Sequence, residues 1–215
     1  FVAERRPRPI TVDYPPEGSV FPPEFPPPRL EWRDESPRAR NWTIQVSFGE
    51  EASPSLRATS RGEPMEIGEI DPRAVGATNE LPRLTPQQAA AHTWRPDPAT
   101  WEAIKKGSTG STAILTITGH ATLGSRAVSR GRVSLRTSTD PVGAPVFYRD
   151  VPLMPSEGEQ GVIKPLDKKF TPLIAWRLRN LAETESRVVM TGIHSCANCH
   201  SVSQDGKTMG MDLDG

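Results

Sequence analysis

The chain has little cysteine, no net charge and no long hydrophobic run. Its 26 basic residues equal its 26 acidic residues, so the formal net charge is zero. This balance argues against bulk nucleic-acid binding and against a polybasic membrane patch. No apolar segment approaches the roughly 18 residues that a membrane-spanning helix needs. The sequence also shows no phosphate-binding glycine loop and no nucleophile elbow.

The two cysteines that are present stand together. Both belong to the pentapeptide Cys196-Ala-Asn-Cys199-His200. Two thiols at this spacing can add to the two vinyl groups on one edge of a porphyrin, and the next imidazole can ligate the iron. We therefore expect Cys196 and Cys199 to bind one covalent haem c through thioethers, with His200 as the proximal iron ligand.

Three other chemistries use the C-x-x-C spacing. Together with His194 the motif offers four zinc-binding side chains, but seven residues are too short for the usual two separated pairs. A redox-active dithiol normally follows a strand in a thioredoxin-like βαβ pattern, which this sequence lacks. A structural disulfide would close a very small loop and add little stability. Haem attachment is the interpretation we favour.

Composition predicts a mainly β protein with a proline-rich start. The 23 prolines and 17 glycines favour extended segments and turns over helix. Residues 1–30 predict an extended arm that docks on the first domain through Phe21 and Phe25. Residues 31–155 predict a β-sandwich, 156–192 a strand and linker, and 193–215 the haem attachment segment. The chain begins at Phe1 without a signal peptide, which fits a processed export product.

Alternating apolar and polar residues predict the strands of the sandwich. They cover Trp42–Phe48, Ala113–Thr118, Gly131–Arg136 and Pro145–Val151. A capping box at Thr85–Gln88 and a start signal at Asp97-Pro98 predict two short helices, the second carrying Trp101 and Ile104 and ending at Gly107. Strands with two such insertions predict an immunoglobulin-like or fibronectin-like sandwich. The disulfide pair of antibody domains is absent, so tryptophan and aliphatic packing must form its core.

The C-terminal third predicts further strands. Ile174–Arg179 alternates and predicts a strand, which we prefer to the alternative of a short helix capped by Thr171-Pro172. Arg187–Met190 extends toward the haem motif. After the motif, a turn at Asp205-Gly206 precedes an alternating strand that ends at Met211.

This last segment carries a family resemblance. Asp205-Gly206-Lys207-Thr208 and the following strand look like the opening hairpin of a blade in TolB-like or WD40-like β-propellers. Residues 11–215 as a whole resemble exported bacterial haem proteins. In that group an immunoglobulin-like region, with segments like FPPEFPPPRLEWRD and DPVGAPVFYRDVPL, precedes a haem site and a propeller. The resemblance implies a c-type cytochrome in the periplasm or at the cell surface.

The resemblance also implies a propeller, of which the sequence contains about one strand. A propeller needs several four-stranded blades. We therefore expect either a longer polypeptide or a haem-bearing subunit whose last strand pairs with another chain. Both alternatives predict a partner surface near residues 203–215, because an unpaired strand end exposes hydrogen-bonding groups.

The second axial ligand of the iron decides the mechanism. The candidates are Met209, Met211, His92, His120 and His194. The methionines lead, because nine residues after His200 can extend roughly 30 Å and reach the far face of the haem. His194 lies too near the cysteines to cross, and a ligand from a neighbouring chain or an open position remains possible. Methionine would raise the reduction potential and a second imidazole would lower it.

These observations predict a mono-haem c-type cytochrome that carries electrons, with redox partner proteins and other subunits in a larger exported assembly. An open sixth position would instead indicate a haem enzyme or a gas or redox sensor. A third alternative is a structural assembly protein in which haem is only a staple.

Overall fold

Strands dominate the structure, as the composition predicted. The computed structural model describes residues 6–49, 54–70, 72, 75, 81–152, 168–193 and 199–212. It divides into one unit of Phe1–Ile67 with Leu84–Gly143, and a second of Gly68–Arg83 with Ala144–Gly215. Among the described helices, none combines the length and apolar character required to cross a membrane.

The first unit contains nine strands and two α-helices within the described residues. They are β1 Arg8–Tyr14, β2 Ser19–Phe21, β3 Leu30–Asp34, β4 Asn41–Phe48, β5 Leu56–Ser60, β6 Glu63–Pro64, α1 Pro86–Ala89, β7 Ala91–Trp94, α2 Pro98–Ser108, β8 Ala113–His120 and β9 Ala127–Thr137. The strands form a nearly closed, barrel-like sheet in the order β5-β4-β8-β9-β1-β3-β7-β6, with β2 beside β9. β1 joins the two halves, because it pairs parallel with β9 and antiparallel with β3.

The predicted alternation places one face of each central strand in the core. In β4, Trp42, Ile44 and Val46 are buried, while the residues between them face outward. β8 repeats this pattern, and Ile44 lies directly opposite Ile117 in the antiparallel register. Burial on one face and polar residues on the other fix that register, since a shift of one residue would expose every core side chain.

Both predicted helices form at their capping signals. Thr85 and Gln88 make the reciprocal bonds of a capping box at α1, and Asp97 accepts the Thr100 backbone N–H at 2.8 Å at the start of α2. α2 buries Trp101 and Ile104 as predicted.

The predicted end of α2 is one residue early. The helix runs through Gly107 to Ser108, and a Cβ at Gly107 would overlap the ring of Phe48. The absence of a side chain at Gly107 therefore lets α2 pack closely against β4. Gly107 does not cap the helix.

The proline-rich segment takes part in the sheet. Its residues 8–14 and 19–21 are strands β1 and β2, whereas the sequence predicted an extended arm lying on the domain. Phe21 and Phe25 are the anchors that the sequence indicated: Phe21 is buried and its ring is 5.0 Å from that of Phe25. Trp101 packs edge-on against Phe21 at 5.4 Å and donates to the Phe25 carbonyl oxygen at 2.7 Å.

The second unit contains a small sheet and a hairpin among its described residues. The strands are β10 Val146–Asp150, β11 Ala175–Arg179, β12 Arg187–Thr191, β13 His200–Val202 and β14 Met209–Met211, and a 3-10 helix covers Lys168–Leu173. The sheet order is β10-β11-β12, and β13 pairs with β14. Ile174 and Trp176 are its innermost apolar residues. The predicted strand near residue 175 is confirmed. The alternative, a helix capped by Thr171-Pro172 in place of the strand, is wrong, since these two residues lie inside the 3-10 helix that precedes the strand.

Candidate functional site

The structure describes the second half of the C-x-x-C-H motif. Cys199 directly precedes β13, its side chain is exposed and it forms no disulfide. His200 is the first residue of β13 and is exposed as well. Cys196 and His194 lie outside the described residues. The two described motif residues are therefore an exposed free thiol and an exposed imidazole at consecutive positions of the second unit.

The hairpin fixes the backbone of this half-motif. The Asp212 backbone N–H donates to the Cys199 carbonyl oxygen at 2.8 Å, and the Ser203 N–H donates to the Thr208 carbonyl oxygen at 2.9 Å. His200 therefore lies between two backbone hydrogen bonds that close the hairpin, and the β13–β14 pairing holds its backbone in place.

The turn of the hairpin forms where the sequence predicted it. Gly206 has a φ of 69°, in the region that favours glycine, and its N–H donates to the Ser203 carbonyl oxygen at 2.8 Å. The Asp205 carboxylate accepts from the Ser203 hydroxyl at 2.6 Å and from the Lys207 N–H at 3.1 Å. These two hydrogen bonds lower the pKa of Asp205, because they stabilise its charged form.

An aromatic side chain that the sequence did not single out contacts the predicted haem ligand. The rings of Phe147 and His200 are 4.8 Å apart, inclined at 67°, an edge-to-face arrangement that aromatic pairs favour. Phe147 belongs to β10 and packs against the Ile174 and Trp176 cluster. The alternation of β10 predicted that Phe147 faces one side of a sheet, but the contact joins residues 53 positions apart and has no local signal.

Both hairpin methionines share the face of His200. Met211 is the direct cross-strand partner of His200, and Met209 is the partner of Val202. Directly paired residues project from the same face of a ladder with Cβ atoms about 5 Å apart. In this arrangement Met211 lies beside His200 on one face of the hairpin, so it would need to leave this pairing to serve as a second ligand of a bound haem.

The two histidine alternatives belong to the first unit. His92 in β7 stacks on Trp42 with ring centroids 4.2 Å apart, and its Nδ1 is 3.3 Å from the Gly62 carbonyl oxygen. His120 ends β8, with Nδ1 2.7 Å from the Ser125 carbonyl oxygen. Each histidine thus has a structural role within its own unit.

The described residues fit haem attachment chemically. Attachment uses two accessible thiols and an accessible imidazole, and of these the structure describes the exposed Cys199 and His200. Val202 and Met209, on the same hairpin, are exposed apolar side chains of the kind that a porphyrin ring can cover. Across the described ranges, no three His, Cys, Asp or Glu side chains cluster as a separate metal site would require.

A cleft of about 350 Å³ lies within the second unit. Its lining includes Lys168, Thr171, Pro172, Gly192 and Ile193, the last of which directly precedes the motif's flanking histidine position. The cleft combines an apolar wall with one cationic side chain.

Comparison with protein-family models finds no match, and no curated protein sequence matches the chain significantly.

Proposed function

We propose that the protein is a mono-haem c-type cytochrome that transfers electrons within a larger exported assembly. The observation that carries the proposal is the C-x-x-C-H motif, whose described half consists of an exposed free Cys199 thiol and, at the next position, an exposed His200 imidazole. Cys196 and Cys199 would hold haem c by thioethers, and His200 would be its proximal ligand. When bound, haem supplies reversible one-electron exchange at its iron.

The surrounding chain supports the proposed ligand. The hydrogen bonds that close the hairpin hold the His200 backbone, and Phe147 limits rotation of its ring by edge-to-face contact. A ring held before the metal arrives loses less conformational entropy on ligation. Phe147 would thus act as a positioning residue for His200.

For the first unit we propose an immunoglobulin-like sandwich. The strand order β5-β4-β8-β9-β1-β3-β7-β6 supports it. If β1 corresponds to strand A and β9 to strand G, one half is the C′CFG sheet and the other the ABED sheet of that fold. The parallel pairing of β1 with β9 would be the step of strand A from one sheet to the other.

The location and partners belong to the same proposal. Haem attachment to this motif, as the resemblance to exported cytochromes implies, takes place outside the bacterial cytoplasm, so the protein would work in the periplasm or at the cell surface. Residues 203–215 would form the surface that binds other subunits of the assembly. Redox partner proteins would approach this unit.

A second candidate function is that of a haem enzyme or sensor with an open sixth position. The pairing of His200 with Met211 favours it, because Met211 lies on the proximal ligand's own face of the hairpin. Distal ligation by Met209 or Met211 would require that pairing to open. His120 or His92 would ligate through Nε2, since the Nδ1 of each lies on a backbone carbonyl oxygen of the first unit.

The visible spectrum of the holoprotein tests both candidates. The protein should be produced with a cytochrome c maturation system and recorded oxidised, reduced, and reduced under carbon monoxide. An electron carrier predicts a low-spin c-type spectrum that carbon monoxide does not shift. An open-site protein predicts a carbon monoxide shift, and a protein without any haem band contradicts haem binding altogether.

Two sets of variants sharpen the test. Cys196→Ala with Cys199→Ala should abolish covalent haem, seen as loss of the haem mass on the denatured chain. Met209→Leu and Met211→Leu should each leave the reduced spectrum unchanged if neither is a ligand, whereas Met209 or Met211 ligation predicts a high-spin shift in the corresponding variant. Ser201→Ala, on the opposite hairpin face, is the matched control.

A further inference from the structure

The outward face of four strands in the first unit carries an ordered grid of polar side chains. One row across the sheet runs Arg57, Gln45, Thr116, Arg132, because each is the direct cross-strand partner of the next. The adjacent row runs Thr59, Thr43, Thr118, Arg130 by the same pairings. Strands are about 4.8 Å apart and same-face residues about 7 Å apart along a strand. Arg57 and Arg132 therefore stand about 14 Å apart with an amide and a hydroxyl between them.

This face is cationic although the chain as a whole is neutral. Strands β4, β5, β8 and β9 contain no aspartate or glutamate. Arg57, Arg130, Arg132 and Arg136 are exposed on it. At its rim, the Ser134 hydroxyl and, to a lesser extent, the Ser134 backbone N–H donate to the Glu17 carboxylate, and together with the charge of Arg132 they lower the pKa of Glu17. The charged Glu17 carboxylate therefore lies at the rim of the grid and interacts with Arg132.

A cleft of about 320 Å³ opens within the grid. Its lining includes Arg57, Gln45, Thr43, Thr118 and His120. A backbone carbonyl can only accept, so the His120 Nδ1 must donate to the Ser125 carbonyl oxygen at 2.7 Å. In the neutral ring this leaves Nε2 as an acceptor. The cleft thus offers a guanidinium, hydroxyls, an amide and an imidazole together.

We propose that this face binds an anionic polysaccharide, with arginines on its acidic groups and the threonine and glutamine side chains on its hydroxyls. Arginine forks match carboxylate and sulfate geometry, and the neutral centre matches a polyhydroxylated chain. The two rows contain no tryptophan, tyrosine or phenylalanine, which protein interfaces use as anchors and single-stranded nucleic acids use for stacking. This inference concerns the first unit and does not depend on haem binding.

Calorimetric titration of the whole protein with oligogalacturonate at 0.15 M salt tests the proposal. The paired variant Arg57→Gln with Arg132→Gln should weaken binding at least tenfold. Its control, Arg38→Gln with Arg95→Gln, removes the same charge from exposed positions outside the four strands and should change the dissociation constant less than twofold. Gln45→Leu with Thr116→Val keeps the charge and should weaken binding at least threefold. Circular dichroism and thermal unfolding check that each variant folds.

Competing probes decide the chemical class. Neutral dextran should not bind. Dextran sulfate tests whether sulfate can replace carboxylate. Preference for the carboxylated or for the sulfated polysaccharide would each support the proposal. Equal affinity for polyglutamate or for oligothymidylate would overturn the proposal in favour of an acidic protein or a nucleic acid. Absence of binding to both anionic polysaccharides, or equal losses in the grid and control variants, would also overturn it.

Discussion

Asp34 accepts hydrogen bonds from buried polar groups of the first unit. It lies at the end of β3 and accepts from the Trp42 Nε1–H at 2.8 Å and from the Ser129 hydroxyl at 2.5 Å. Its other oxygen accepts the Ser36 N–H at 2.7 Å. Trp42 and Ser129 are almost fully buried, so neither donor can turn to water if Asp34 is lost.

Replacing Asp34 by alanine should therefore destabilise the protein strongly. We expect Asp34→Ala to lower the free energy of unfolding by about 2–4 kcal/mol, because it leaves buried donors without acceptors. Urea unfolding followed by tryptophan fluorescence measures this. Asp13→Ala is the control, since its two hydrogen bonds to Arg33 are exposed and exposed pairs add little. Equal losses in the two variants would contradict this account.

The cap of α2 makes stability depend on pH. The Thr100 hydroxyl and backbone N–H donate to Asp97 and lower its pKa. A carboxylate with a lowered folded pKa stabilises the protein above its unfolded pKa of about 4, and this contribution is lost as pH falls through the folded pKa.

The variant Asp97→Asn isolates that contribution. Asparagine also caps helices but does not titrate. The free energy of unfolding of the wild type should therefore rise relative to that of the variant as pH increases from 2.5 to 5. Urea unfolding across this range measures the difference. Thr100→Val removes the hydroxyl donor. It should therefore reduce the increase in the free energy of unfolding between pH 2.5 and 5. A difference between wild type and Asp97→Asn that does not vary with pH would refute the assignment.

At the scale of elements, the join between the two half-sheets depends on one glycine. Gly131 in β9 lies where β1 crosses, and a Cβ there would overlap the carbonyl oxygen of Ile10. The sequence marks Gly131 only as a glycine inside a predicted strand. Glycine is required at this position because a second backbone, that of β1, approaches it closely.

Adding a methyl group at this position should break the crossing. We expect Gly131→Ala to destabilise the protein by about 1–3 kcal/mol, as overpacking does. Faster hydrogen exchange in β1 than in β4 would accompany the loss. Gly68→Ala is the control, because a Cβ there meets no atom within 4 Å. If Gly131→Ala unfolds with the same free energy as the wild type, the Ile10 backbone of β1 does not approach Gly131 as closely as described.

At the scale of the whole molecule, the two units differ in the cores that their described residues form. The first unit has two clusters, built around Leu115 and Ile44 among others. The second has a cluster in which Ile174 and Trp176 are the fully buried members. Local opening costs less where fewer apolar contacts must be broken.

Hydrogen exchange should therefore distinguish the units. We expect the amides of β4 and β8 to exchange more slowly than those of β10 and β12 at the same pH. Mass spectrometry of peptic fragments measures this in the full chain. Binding of haem to the second unit, as proposed, should slow exchange there and reduce the contrast. Equal exchange in both units of the haem-free protein would contradict the expectation.

The sequence by itself determined features that depend on neighbouring residues. The alternation of β4 and β8, the capping box at Thr85, the Asp97 cap and the turn at Gly206 were all predictable, because period and turn chemistry act over a few positions. The C-x-x-C-H motif was equally visible, since its chemistry is local. Haem itself stays a prediction that the spectrum must test.

Only the tertiary structure decided which distant segments meet. It placed Phe147 against His200, made Met211 the neighbour of His200, and drew the proline-rich segment into the sheet as β1. It also aligned Arg57 with Arg132 across four strands. Such contacts depend on strand order and register, which are set by burying the apolar faces of all strands together, and no short stretch of sequence contains that information.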